Sequence, residues 1–156
     1  MTPRVAVSAC LLGEPVRYDG GRRPAEDLME WLSRWAEPVG ICPEVAAGLG
    51  VPREPIQVEV DGRVVGVSSR TDHTAALAAI APPAGVSGAV LQARSPSCGV
   101  GSTPIWGGGA VVATGDGVFA GSLRVAGLPV ADRVGLESSE ARDAFRLAVL
   151  ATASAS

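Results

Sequence analysis

The sequence predicts an α/β domain with a mainly parallel sheet and helices on both of its faces. Short apolar runs rich in valine alternate along the chain with segments of helical periodicity, a pattern typical of parallel sheets. The chain has 156 residues, of which 47% are apolar, so it can bury a core without disulfide support. We therefore expect one domain over residues 1–156.

The predicted strands are short runs that contain valine or isoleucine and are bounded by turn-forming residues. They are RVAVSA (4–9), PVGI (38–41), GAVLQA (88–93) and LPVAD (128–132). Two further alternating runs flank Asp61-Gly62 within residues 58–67, which predicts a small β-hairpin insertion. The secondary structure of AVVAT (110–114) is ambiguous from the sequence.

Helical spacing and end signals predict four helices. In the first, Pro24 and two acidic residues favour a helix start, and Leu28, Trp31, Leu32 and Trp35 form one apolar face. We expect these two tryptophans to belong to the core. The four helices are predicted over residues 24–36, 70–81, 117–127 and 138–153, with long loops at 10–23 and 42–57.

Charge and hydropathy argue against two classes of partner, duplex DNA and membranes. The net charge of −3 gives no global basic field for duplex DNA. No apolar run reaches the roughly 18 residues of a membrane span. The first ten residues, MTPRVAVSAC, lack the pattern of a signal peptide. These features predict a soluble cytoplasmic protein with neither a membrane nor duplex DNA as partner.

The three cysteines all follow predicted strands and lie in loops rich in glycine and proline. Because ligands bind beyond the carboxyl ends of parallel strands, Cys10, Cys42 and Cys98 are expected at one edge of the sheet. An odd number of cysteines disfavours a closed disulfide framework. Three thiolates suit a soft metal or an iron–sulfur cluster. The alternative is that each cysteine is a small buried hydrophobe.

Other polar residues near the cysteines also have two interpretations. Glu44 is either a general base or a carboxylate at a helix start. Ser95 and Ser97 flank Pro96, where their pattern indicates turn hydrogen bonds. Arg17 and Tyr18 offer a cation and a stacking face for a planar ligand, or belong to a turn. The single histidine, His73, lies on a predicted helix among charged residues, which disfavours a zinc site of three cysteines and one histidine.

Three long blocks of the sequence resemble the signature segments of the thiouracil desulfidase family. They are VSACLLGEPVRYDGG, CPEVAAGLGVPREPIQ and ARSPSCG, in that order along the first two thirds of the chain. The resemblance implies a Rossmann-like fold and a 4Fe-4S cluster held by three cysteines. It also implies the removal of sulfur from thiouracil by water, giving uracil and hydrogen sulfide without net redox change. Related domains act on thiolated tRNA bases, so a thiolated nucleoside or tRNA is a further candidate substrate.

The matching positions imply a role for each site residue. By this resemblance Glu44 is the acid/base, and either Ser95 or Ser97 is the second catalytic residue, with Ser95 favoured because the loop can turn it back over the cluster edge. Gln92 stands where the family more often has lysine, so Arg17 or Arg94 is expected to supply that charge to the substrate pocket. The implied cluster ligands are Cys10, Cys42 and Cys98.

Two other classes of function remain open from the sequence. One is a non-catalytic module that binds a nucleotide or sulfide at the same edge. The other is a zinc or redox protein that uses the same cysteines. Iron content and colour after anaerobic purification distinguish these alternatives from the iron–sulfur enzyme.

Overall fold

The computed structural model describes residues 2–21 and 24–155. It contains a parallel sheet and a second, mixed sheet. The elements along the chain are β1 (Arg4–Ser8), a 3-10 helix (Ala9–Leu12), α1 (Glu26–Ser33), β2 (Glu37–Ile41), α2 (Pro43–Ala46), β3 (Ile56–Glu59), β4 (Val64–Gly66), α3 (Thr74–Ala78), β5 (Val86–Leu91), β6 (Thr103–Gly107), β7 (Ala110–Gly115), α4 (Val118–Val125), β8 (Val130–Asp132) and α5 (Ser139–Ala155).

The first sheet has the strand order β2-β1-β5-β8, and all three of its pairings are parallel. Its four strands are the four apolar runs that the sequence predicts. β1 and β5 are almost wholly buried, as expected for central strands covered on both faces.

Helices cover both faces of this sheet, because side chains along β1 alternate between two clusters. Val5 and Val7 pack in one cluster with apolar residues of α1 and α5. Ala6 packs in the other cluster with residues of α4. The α/β class with flanking helices is thereby confirmed.

The second sheet has the order β4-β3-β6-β7 and is larger than the sequence indicates. β3 and β4 form the expected antiparallel hairpin around Asp61-Gly62. β6 pairs parallel with β3 and antiparallel with β7, so the hairpin is one half of a four-stranded sheet. The sequence of β7 is ambiguous because its residues are exposed from Ala110 to Thr114, and no apolar/polar alternation results.

Two predicted helices start later than their patterns suggest. The helix expected over 70–81 is only α3, because Arg70 has a φ of 58° and the carboxylate of Asp72 accepts a hydrogen bond from Thr74 N at 2.9 Å. α1 starts at Glu26 because Ala25 has non-helical backbone angles, φ −125° and ψ 69°, and its N donates to Leu11 O at 3.0 Å. Part of the loop expected over 10–23 is the 3-10 helix, and Arg22 and Arg23 lie outside the described residues.

Two long loops connect the first sheet to the second. Residues 42–55 lead from β2 to β3, and residues 92–102 lead from β5 to β6. Because β3 and β6 are parallel neighbours, with Val58 opposite Ile105, both loops end side by side. None of the described helices has the length and apolar character needed to cross a membrane.

Candidate active site

A cavity of about 240 Å³ lies beyond the carboxyl ends of β1, β2 and β5, between the two long loops. This is the edge of the sheet at which the sequence predicts the cysteines to meet. Eight of the nine predicted site residues line it, namely Cys10, Arg17, Tyr18, Cys42, Glu44, Arg94, Ser95 and Cys98.

Each cysteine is presented by the chain segment that follows its strand. Cys10 is in the 3-10 helix after β1, where Gly13 ends the helix with a φ of 92°. Cys42 precedes α2, and its Sγ lies 3.9 Å from Val16 O. Cys98 is in the loop after β5, and its backbone N donates a hydrogen bond to Ser95 Oγ at 3.1 Å. All three are free thiols.

The electrostatics of the thiols reflect their burial and their mutual proximity. Burial raises the pKa of Cys98 to about 12, a hydrogen bond with Ser8 opposes that shift, and the charges of Glu44, Cys42 and Cys10 reinforce it. Burial also raises the pKa of Cys10, where Arg17 opposes the shift and Cys42 reinforces it. The thiols of Cys10 and Cys98 are therefore protonated at neutral pH in the absence of a metal.

Glu44 is a buried carboxylate with a hydrogen-bond donor at each oxygen. Glu44 as a whole residue is 9% exposed. Arg53 Nε donates to Oε1 at 2.9 Å, and Ser97 Oγ donates to Oε2 at 3.0 Å. A buried acid at the start of α2, on the cavity wall, is in a position to exchange a proton with a bound molecule.

The two serines differ in their relation to the cavity. Ser95 lines the cavity, and its Oγ accepts hydrogen bonds from the backbone N atoms of Ser97 and Cys98 at 3.2 and 3.1 Å. Ser97 is fully buried and reaches the cavity only through its bond to Glu44. Gly117 packs against the Ser97–Cys98 backbone so closely that a Cβ there would lie 2.3 Å from Ser97 C.

The outer wall of the cavity carries two arginines and a tyrosine. Tyr18 is 39% exposed, and Arg94 is exposed with a φ of 65°. Among the described residues, neither the Arg17 nor the Arg94 guanidinium forms a hydrogen bond or an ion pair with a side chain or carbonyl. These cations are therefore available to a ligand.

Two residues of the site, Arg53 and Ser8, are not among the sequence predictions, and neither is Asp132, a buried acid outside the cavity lining. Arg53 pairs with Glu44, and Ser8 contacts both Cys98 and Gln92 N. Asp132, at the end of β8, accepts hydrogen bonds from Val100 N, Ser102 Oγ and Gly135 N. Ser8 and Asp132 could have been found from the sequence, because each is a polar residue at the carboxyl end of a predicted strand. No feature of the sequence around Arg53 indicates that it pairs with Glu44.

The remaining candidates stay outside the cavity. His73 lies at the start of α3 and does not line it. Trp31 and Trp35 stack edge to face at 5.3 Å and pack against the core cluster of α1 and α5, as expected.

The fold and the site define an α/β protein with a thiol-lined cavity and a buried acid at the carboxyl edge of its parallel sheet. The family model of 2-thiouracil desulfurase matches residues 5–133. The chain belongs to this family, which confirms the resemblance seen in the sequence.

Two individual proteins illustrate the likeness. The solved structure of the [4Fe-4S]-dependent thiouracil desulfidase TudS is 33% identical, covers 94% of this chain and 99% of its own, and superposes with a TM-score of 0.73. The uncharacterised protein YbbK of Bacillus subtilis is 29% identical over 143 residues, which covers 81% of this chain and 93% of YbbK.

Proposed function

We propose that this protein is an iron–sulfur enzyme that hydrolyses the carbon–sulfur bond of a thiolated pyrimidine, converting thiouracil and water to uracil and hydrogen sulfide. The observation that carries the proposal is the convergence of Cys10, Cys42 and Cys98 on one cavity with Glu44. Membership of the 2-thiouracil desulfurase family and the likeness to TudS, a [4Fe-4S]-dependent thiouracil desulfidase, support it.

The donor set fits a 4Fe-4S cluster. Three thiols face the same cavity, and the charges of Cys10 and Cys42 both act on Cys98. Within residues 2–21 and 24–155, no three His, Cys, Asp or Glu side chains are grouped to hold a single metal ion. A cubane is larger than one ion, so its cysteine ligands are necessarily farther apart than those of a lone zinc. Metal binding would also remove the protons that burial keeps on Cys10 and Cys98.

Cys10, Cys42 and Cys98 would hold the cluster. When bound to three cysteines, a 4Fe-4S cluster retains one iron without a protein ligand, and this iron supplies a Lewis acid with affinity for soft sulfur.

Glu44 acts as the general base in this proposal. Each carboxylate oxygen has two lone-pair positions, so the bonds from Arg53 and Ser97 leave each oxygen a position to accept a proton. Glu44 takes a proton from the water that adds to the carbon bearing sulfur. That step contributes roughly 10²- to 10⁴-fold in rate in enzymes that use a positioned base.

Ser95 is proposed as the second catalytic residue. Its oxygen already accepts two backbone hydrogen bonds, which leaves the hydroxyl proton as the group that it can offer to the cavity. Ser95 would donate that proton toward the ring or the departing sulfur. Ser97 instead holds Glu44.

The outer wall is proposed to bind the substrate. Tyr18 offers a stacking face for a planar base, while Arg17 and Arg94 offer donors to its oxygen atoms. Thiolated nucleosides and tRNA are included as further candidate substrates because Tyr18 and Arg94 are exposed at the mouth of the cavity. Three unpaired thiols fit a reducing compartment, so we propose that the enzyme acts in the cytoplasm.

The test is anaerobic purification and cluster reconstitution, followed by assays with thiouracils, thiolated nucleosides and thiolated tRNA. We expect a brown protein with about four irons per chain. We also expect equal amounts of sulfide and desulfurated product without an added electron donor. A colourless zinc protein with full activity would establish the zinc alternative, and tight binding without turnover would establish a binding module.

A further inference from the structure

We propose that Arg53 is a positioning residue which, together with Ser97, fixes the orientation of the Glu44 carboxylate toward the cavity. The inference rests on the proposed function of Glu44 as a base. It assigns to Arg53 a role that its place in a loop of the sequence does not indicate.

The two donors hold different oxygens of the same carboxylate. Arg53 Nε lies 2.9 Å from Oε1, and Ser97 Oγ lies 3.0 Å from Oε2. Rotation of the carboxylate about its last bond would break both hydrogen bonds together. The two donors come from the two long loops, so Glu44 is held from both sides.

Burial distinguishes this ion pair from the others of the described chain. The side chains of Arg53 and Glu44 are 7% and 11% exposed, whereas the arginines of the other ion pairs are at least 40% exposed. Exposed pairs hold their geometry weakly because water competes for both partners. A buried pair that is also hydrogen-bonded keeps one geometry.

Arg53 is itself anchored independently of Glu44. Its Nη1 donates to Gly50 O at 2.9 Å, so the guanidinium bridges a carbonyl and a carboxylate. Its backbone N donates to Tyr18 O at 2.7 Å. Replacing the side chain therefore leaves the main-chain anchor in place. A lysine ammonium lacks the planar fork that makes both side-chain contacts in a fixed direction.

The experiment compares Arg53→Ala, Arg53→Lys, Ser97→Ala and the Arg53→Ala/Ser97→Ala double variant in the reconstituted enzyme. Arg63→Ala is the matched control, because it removes an ion-paired arginine from the exposed turn between β3 and β4. Sulfide release gives kcat and KM, and iron analysis gives cluster content. Crystal structures of the variants report the orientation of Glu44 whether or not the enzyme turns over.

We expect Arg53→Ala to lower kcat about 10²-fold, with iron content and KM close to those of the parent protein, because a small misplacement of a reacting group has an effect of that size. Arg53→Lys should retain part of kcat. Free guanidinium at non-denaturing concentration should partly restore Arg53→Ala, while sodium chloride should not. The double variant should be no slower than the slower single variant, since either loss alone frees the carboxylate.

Unchanged kcat in Arg53→Ala, or a double variant whose loss is the product of the single losses, would overturn the proposal. An unchanged Glu44 orientation in the Arg53→Ala and Arg53→Lys structures would also overturn it. If the parent protein desulfurates none of the substrates, the proposed function fails, and the crystal structures still decide whether Arg53 positions Glu44.

Discussion

Ser97 Oγ donates a hydrogen bond to Glu44 Oε2 at 3.0 Å, although 53 residues separate the two in the chain. Each residue is close in sequence to a cysteine of the cavity, Glu44 to Cys42 and Ser97 to Cys98. The bond therefore joins the two long loops at the point where they present their thiols. It also couples the position of the Glu44 carboxylate to the positions of the Cys42 and Cys98 thiols.

The first prediction concerns the cluster ligands. Cys10→Ala, Cys42→Ala and Cys98→Ala should each lose most of the iron and the activity, because two thiolates hold a cubane poorly. Iron analysis and the visible absorption spectrum after reconstitution measure the loss. Ser87→Ala, at a small buried residue of β5 outside the cavity lining, is the control and should keep its iron. A cysteine variant with full iron content would show that this cysteine is structural.

The second prediction separates proton transfer from cluster binding. Glu44→Gln fits the same space, since its amide oxygen can accept from Arg53 and its NH₂ can donate to Ser97 once that hydroxyl rotates. We expect unchanged iron content and a fall in kcat of roughly 10²- to 10⁴-fold. Normal turnover in this variant would remove Glu44 from the reaction, and loss of iron would make it a structural partner of the loops.

The third prediction distinguishes the two serines. Ser95→Ala removes a hydroxyl from the cavity and leaves two backbone N–H groups unpaired, so both kcat and the free energy of unfolding should fall, the latter by about 1–3 kcal/mol. Ser97→Ala should lower kcat less and leave KM unchanged. Steady-state kinetics and denaturant unfolding measure the two effects. Equal and mild effects on kcat would show that neither serine is catalytic.

The fourth prediction concerns the outer wall. Arg17→Ala and Arg94→Ala should each raise KM about fivefold, corresponding to about 1 kcal/mol for a partly exposed charged contact, with little change in kcat. The effect should weaken as salt concentration rises. Arg63→Ala again serves as the control. An unchanged KM for both variants would remove these arginines from substrate binding.

The fifth prediction concerns the buried carboxylate of Asp132, which is 3% exposed and accepts three hydrogen bonds. Asp132→Asn places an NH₂ group against donors, so we expect a loss of about 1–3 kcal/mol in unfolding free energy. Asp143→Asn, on the exposed side of α5, should change stability little. Equal free energies of unfolding for the two variants would show that the hydrogen bonds of Asp132 do not stabilise the loop 92–102.

The first sheet was predictable because its central strands, β1 and β5, are buried apolar runs. Val5 and Val7 of β1 and Val90 of β5 pack in the core, and such valine-rich runs can be recognised in the sequence alone. Cys10, Cys42 and Cys98 follow β1, β2 and β5 of this sheet, so their convergence at one edge was predictable from the topological rule for parallel sheets.

The half of the second sheet formed by β6 and β7 and the partner of Glu44 were not predictable, for different reasons. β7 is exposed along almost its whole length, so burial leaves no pattern in its sequence. The pairing of Arg53 with Glu44 depends on how residues 42–55 fold back on themselves, which no local spacing encodes. Likewise, the burial of Ser97 and the position of Ser95 on the cavity wall depend on tertiary packing, such as that of Gly117 against the loop.

The parallel pairing of β3 with β6 fixes the far ends of both loops that carry the site. Each loop must therefore span a set gap, and an added or deleted residue within 42–55 or 92–102 has to be absorbed by the cavity wall. The turn at Asp61-Gly62 bears no such constraint, because it only closes a hairpin at the periphery. Length variation in this protein should accordingly be tolerated at the hairpin tip, which is the natural position for a tag or a fused domain.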